Sequence, residues 1–105
     1  MVIVNIYNIK GDFTMNEIKQ DKNKFYIGEN SANPIAEITF IPTDDGKLIV
    51  NHTYVSNSLR GEGIAMQLVE KVIEYARAEN KKIVPVCSYV YKVMTNKDEY
   101  KDILE

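Results

Sequence analysis

Cysteine and histidine are nearly missing from this chain. Cys87 is the only cysteine and His52 the only histidine in 105 residues. A single thiol has no partner, so no intramolecular disulfide and no cysteine-rich zinc site can form. A single imidazole argues against a histidine-based metal site, and no metal is expected. Long apolar runs are missing too: none approaches the length of a membrane span. The first residues, MVIVNIYNI, are apolar but lack the basic start and the small-residue cleavage site of a signal peptide. The expected location is the cytoplasm, with no membrane partner. Nor is there an excess of basic charge. Thirteen Lys and Arg stand against fifteen Asp and Glu, a net charge of −2, which argues against a general nucleic-acid binder. Arginine itself is scarce: Arg60 and Arg77 stand beside eleven lysines, a usage that resembles AT-rich coding and draws attention to Arg60.

What is present fits one small globular domain, with 45% hydrophobic and 27% charged residues. Residues 1–15 stand apart as an N-terminal extension. Lys10, Gly11 and Asp12 can be encoded by a purine run like a bacterial ribosome-binding site, a few codons before Met15. The extension is therefore expected to be an upstream leader with translation starting at Met15; the alternative is an ordinary N-terminal strand. The domain proper is expected over 16–105.

Within it, the hydrophobic period is first two and then near four. Residues 24–29, 35–41 and 47–55 alternate and are separated by polar turns, which predicts an antiparallel meander. On the third strand Leu48, Val50, His52 and Tyr54 are expected on one face and Ile49, Asn51, Thr53 and Val55 on the other. From Ile64 the period changes. Ile64, Ala65, Leu68, Val69, Val72, Ile73 and Ala76 mark a helix, placed over 61–79. A short buried strand follows at 83–87, then short helices at 89–96 and 98–105. Strand, helix and strand make a β-α-β unit with parallel strands and a right-handed crossover, whose ligands sit beyond the strand C-termini and near the helix start.

Two glycines, poor helix formers, open the longest helix, in SLRGEGIA (58–65). Unpaired N–H groups at a helix start attract anions. Gly61 and Gly63 permit unusual backbone angles and close approach, and Arg60 can add a charge-assisted contact. A strand, a Gly-x-Gly turn and a helix suit a phosphate-bearing ligand; a tight entry turn serving packing alone is the competing explanation. The spacing is neither a Walker loop nor a dinucleotide fingerprint.

Arg60-Gly61-Glu62-Gly63-Ile64-Ala65 resembles the Arg/Gln-x-x-Gly-x-Gly/Ala signature of the GNAT superfamily of acetyl-CoA-dependent N-acyltransferases. HTYVSNSLRGEGIAMQLVEKVIEYAR, KKIVPVCSYV and DEYKDIL resemble a subfamily of short GNAT-like domains. The resemblance implies an α+β fold of GNAT type: a mixed, mainly antiparallel sheet, a β-α-β acetyl-CoA-binding unit and short C-terminal helices. It implies that amides of Arg60, Gly61, Glu62, Gly63, Ile64 and Ala65 hold the diphosphate of acetyl-CoA. It also implies that the backbone at Tyr54 and Val55 pairs with the pantetheine arm, and that the partner is an amine acceptor whose identity is open.

Cys87 and His52 are the candidate catalytic residues. A thiol at the end of the last strand can accept an acetyl group or sense redox state; the alternative is a small buried hydrophobe. His52 can act as a general base or be a structural histidine of the core, and the two strands allow a Cys–His pair. Tyr89 and Tyr91 are read as packing residues or as an acid for the departing thiolate. Tyr100 is expected to pack the tail, and Glu37 and Glu62 receive no chemistry. The chain is short for an acceptor pocket and lacks a final strand pair, so two readings stand. One is an N-acetyltransferase. The other is an acetyl-CoA-binding or sensing module with little transferase activity, in one version self-acetylating at Cys87.

Overall fold

The computed structural model describes residues 17–105; the start-site expectation at Met15 concerns residues outside that range. Among the described residues, five strands form a sheet in the order in which they occur in the chain. They are β1 (Lys19–Asp21), β2 (Lys24–Ile27), β3 (Ala36–Pro42), β4 (Lys47–Val55) and β5 (Lys82–Pro85). Neighbours from β1 to β4 are antiparallel, and β4 and β5 are parallel. The crossover between them carries α1 (Ile64–Ala78), and α2 (Ser88–Thr95) follows β5. The meander and the β-α-β unit therefore stand as the alternation and the change of period predict. β1 has no counterpart in the sequence analysis: Lys-Gln-Asp carries no apolar alternation, and it pairs only because the turn at Asn23, with φ of 63°, folds it back onto β2.

One face of the sheet is covered by α1. Phe25, Ile27, Ala36, Ile38, Phe40, Leu48 and Val50 point inward and meet Leu68, Val69, Val72 and Ala76 in a single buried cluster. Tyr75 packs its ring against Phe25 and Phe40, with centroids 5.7 and 5.6 Å apart. Such pairs add about 0.5–1.5 kcal/mol beyond the burial itself.

A bulge decides which side chains reach which face of β4. Thr39 pairs with His52, yet Phe40 pairs with Val50, so Asn51 is the extra residue. An extra residue shifts the alternation by one position. Leu48 and Val50 face inward as the pattern predicts, but beyond the bulge the inward residues are Thr53 and Val55, opposite Ile38 and Ala36. His52 and Tyr54 turn to the outer face with Glu37 and Thr39. The expected continuous row Leu48, Val50, His52, Tyr54 is thus broken, because period-two reasoning cannot see one inserted residue.

Three boundaries also differ from expectation. α1 starts at Ile64, not at 61, since Gly61 and Gly63 both have left-handed φ, 85° and 74°. β5 ends at Pro85, and Cys87 caps α2 instead of ending the strand. The tail is not one helix: a 3-10 turn spans Asp98–Tyr100, and Leu104 then bridges Ile83 in parallel. Tyr100 is buried, as expected of a residue packing the tail. No described helix is long and apolar enough to cross a membrane.

Candidate functional site

The parallel pairing of β4 and β5 stops at Val50 and Pro85. There the N–H groups of Val86 and Cys87 both donate to the Val50 carbonyl, at 3.0 and 2.9 Å. β4 runs on for five residues beyond this point while the chain after β5 turns into α2. The two strands therefore part, leaving one edge of β4 open.

Backbone alternation identifies the open groups. Ser56 N–H donates to the Ile35 carbonyl at 2.8 Å. Hydrogen-bonded pairs alternate along an antiparallel ladder, so Tyr54 and His52 exchange their bonds with Glu37 and Thr39 on β3. The backbone groups of Thr53 and Val55 then point the other way, into the gap left by β5. Of the two residues expected to offer backbone to a pantetheine arm, Val55 has its backbone turned into the gap. Tyr54 has its backbone turned to β3 and its side chain exposed on the outer face.

Val55 also lines an open groove of about 460 Å³ that continues over Leu59, Arg60, Gly61, Gly63, Ile64, Ala65 and Met66 and reaches Tyr89. Its floor is the start of α1. The first helical bond is Gln67 N–H to the Gly63 carbonyl at 3.2 Å. Among the described residues, the N–H groups of Gly61, Glu62, Gly63, Ile64, Ala65 and Met66 have no acceptor within hydrogen-bonding geometry. No side chain caps this end, and the first turn carries no acidic residue. Arg60, on the groove wall, is in none of the ion pairs among the described residues. A Cβ added to Gly61 or Gly63 would meet no atom within 4 Å. Tight packing therefore does not explain these glycines. Their positive φ does, and so does the open space in front of them. The cradle fits a diphosphate. Leu59, Met66 and Tyr89 line it without having been singled out as ligand residues; Leu59 and Met66 flank the turn in sequence, whereas Tyr89 arrives from the start of α2. Glu62 lends a backbone N–H, while its side chain is exposed and off the groove.

Cys87 lies beside the gap. Its sulfur is 3.5 Å from the Thr53 hydroxyl. Partial burial pushes the thiol up, but N–H groups of Val90, Tyr89 and Thr53 and the Thr53 hydroxyl outweigh it, and the net displacement is downward. Donors at the start of α2 stabilise a thiolate for the reason given for any helix N-terminus. Thr53→Val removes one donor, so the pH midpoint of Cys87 alkylation should rise. A midpoint unchanged by the substitution would show that the hydroxyl does not reach the sulfur.

His52 stands on the opposite side of the sheet. Its Nε2 is 3.4 Å from Glu37 Oε2, and its side chain is 52% exposed. The structure therefore does not bring His52 and Cys87 together, although their strands are neighbours. The bulge at Asn51 separates them. Tyr91 is exposed on α2. Among the described residues no group of His, Cys, Asp and Glu is arranged to hold a metal.

Comparison with known proteins agrees with this arrangement. A family model described as GCN5-related N-acetyl-transferase matches residues 24–103. The chain belongs to the GCN5-related N-acetyltransferase family. A GCN5-like protein from Staphylococcus aureus, known from a solution structure, is 40% identical to it. The match covers 87% of this chain and 89% of that one, with a TM-score of 0.73. A crystal structure of a GNAT-family acetyltransferase from Staphylococcus aureus shares the fold at 19% identity and a TM-score of 0.52, over 70% of this chain and 49% of that one. No curated protein matches the chain. The family accounts for the mixed, mainly antiparallel sheet.

Proposed function

We propose that this protein binds acetyl-CoA along the groove and moves the acetyl group to an amine. The observation that carries the reading is the run of unpartnered amides at the mouth of α1, open to solvent and flanked by Arg60. Amides of 61–66 and the Arg60 guanidinium would hold the diphosphate. Val55 would offer its backbone to the pantetheine arm in the gap between β4 and β5. The bound molecule supplies an acyl group as a thioester. His52, half exposed on the outer face of β4, would take the proton of the attacking amine. The expected partners are acetyl-CoA and an amine, with a cytoplasmic location. The domain is placed at 16–105, with 1–15 an extension.

Cys87 favours a second reading. A thiolate beside the gap can attack the thioester carbon. A bond then forms from the cysteine sulfur to the acetyl carbon, the bond to the coenzyme sulfur breaks, and CoA leaves as its thiolate. In that case the protein is a self-acetylating module, with or without onward transfer.

Calorimetry with coenzyme A tests the common step: heat of binding is expected, and none would end both readings. Release of free thiol across a panel of amines tests transfer. Intact mass after incubation with acetyl-CoA tests the cysteine route, where one acetyl group should add to the protein and be lost in Cys87→Ala. Binding without thiol release or adduct would leave a sensing module.

A further inference from the structure

We propose that a second groove, between α1 and the tail, docks a basic amphipathic peptide segment of a partner protein. The inference goes beyond the transferase reading and stands whether or not an amine is acetylated.

The groove has a volume of about 410 Å³ and is lined by Glu70, Ile73, Glu74, Arg77, Glu99 and Tyr100. The first four come from α1 at spacings of three and four, so they form one stripe along it. Glu99 and Tyr100 come from the 3-10 turn of the tail. The floor is apolar: Ile73 and Tyr100 are 4% and 5% exposed. Arg77 stands between the two walls. Its guanidinium donates to the Glu99 carbonyl at 2.8 Å and to Asp102 at 2.9 Å. That cation is engaged by the tail, and the three carboxylates of the rim set the sign of the field over the floor. Glu70 and Glu99 are in none of the ion pairs among the described residues. Glu74 meets Lys71, on the solvent side of α1, with 72% of its side chain exposed.

This groove shares no residue with the one at the mouth of α1, and its charge is opposite. Carboxylates repel a phosphate, so it is not a continuation of the coenzyme site. A single metal ion does not fit either: among the described residues no group of His, Cys, Asp and Glu converges to hold one. Negative charges spread along a rim, above an apolar floor, match a partner whose own charges are spread along a chain. Lys or Arg side chains meet the rim, and an apolar side chain between them meets the floor. Helix energetics point the same way. Glu70 and Glu74 are like charges one turn apart, an arrangement that weakens a helix, and a cation laid between them relieves the repulsion.

The probe is a short fluorescein-labelled peptide of Lys, Leu and Ser, followed by anisotropy with the full chain. The Glu70→Gln/Glu99→Gln double variant should bind it about fivefold more weakly than wild type, or weaker still, as expected for the loss of two exposed charge contacts. The control is Glu29→Gln/Asp44→Asn. It removes the same charge from two exposed turn positions outside the groove and should leave the affinity near that of wild type. All four positions are exposed, so thermal melts should be alike. Added salt should weaken binding to wild type, and replacing either the Lys or the Leu residues of the peptide by Ser should weaken it as well. Equal affinity in the two double variants would mean attraction by net charge alone and overturns the proposal. So does a Leu-free peptide, or spermine, that binds as tightly as the probe, because the apolar floor then plays no part. No binding of the probe at millimolar protein overturns it outright.

Discussion

Gly63→Val should weaken coenzyme A binding by about 100-fold or more. Two effects combine. A branched side chain at the N-cap of α1 fills the open space through which the amides are reached, and at least two charge-assisted bonds of about 1.5–3 kcal/mol each are lost. Two such bonds correspond to about a hundredfold or more in Kd. Valine at a φ of 74° is also strained, by about 1–3 kcal/mol, so a fall in binding has to be separated from partial unfolding. Gly46 provides the control. It too has a positive φ, 87°, with nothing within 4 Å of an added Cβ, but it sits in the turn between β3 and β4, away from the groove. Gly46→Val should cost similar stability and leave binding intact. Arg60→Ala removes one charged contact without backbone strain and should weaken binding by about 1–3 kcal/mol. Calorimetry on variants whose thermal melts confirm folding separates these cases. If Gly63→Val and Gly46→Val bind coenzyme A equally, the amides of this turn do not hold the ligand.

The glycine turn could be found in the sequence because its chemistry is local. A helix start, two residues without Cβ and one arginine lie within six positions, and no distant contact is needed to bring them together. α1 is legible for a similar reason: Ile64, Leu68, Val72 and Ala76 repeat along one face, and the same residues are buried. What failed depends on a single non-local event. The bulge at Asn51 arises from how β3 and β4 register, and the residues around it (Val50, Asn51, His52, Thr53) carry no glycine or proline to announce it. It moved His52 out of the core and away from Cys87, and it placed Thr53 against the thiol instead. The pairing of Glu37 with His52 was hidden by the same feature. Cys87 was legible as a residue just after an apolar strand, yet its cap of N–H donors required knowing that α2 begins at Ser88.

The tail is the other element whose role could not be read locally, and its removal should have the largest effect on stability. Deleting residues 103–105 should lower stability by about 3–6 kcal/mol, seen as a lower urea midpoint. Ile103 is 5% exposed and Leu104 packs against the core, and burying one such side chain fully is worth about 1.5–3 kcal/mol. Ile83 N–H donates to the Ile103 carbonyl at 2.6 Å, and Glu105 N–H to the Ile83 carbonyl at 2.9 Å. After deletion these groups meet water, so their loss adds only about 0.5–1.5 kcal/mol each. The ion pair at the tail's start is a weaker hold. Arg77 binds Asp102 and the Glu99 carbonyl from an exposed position, where salt and solvent screen it. Hydrogen bonding from Arg77 holds the Asp102 carboxyl below its ordinary 3.8, so this small contribution is present above that pH and fades as pH falls through the lowered value. Arg77→Ala should therefore matter far less than the deletion. The truncated protein also exposes the edge of β5, which invites pairing with a second chain, and size-exclusion chromatography should show association. An unchanged urea midpoint in the truncated chain would mean that α1 and α2 alone secure β5, and that the bridge at Leu104 is an ornament of the edge.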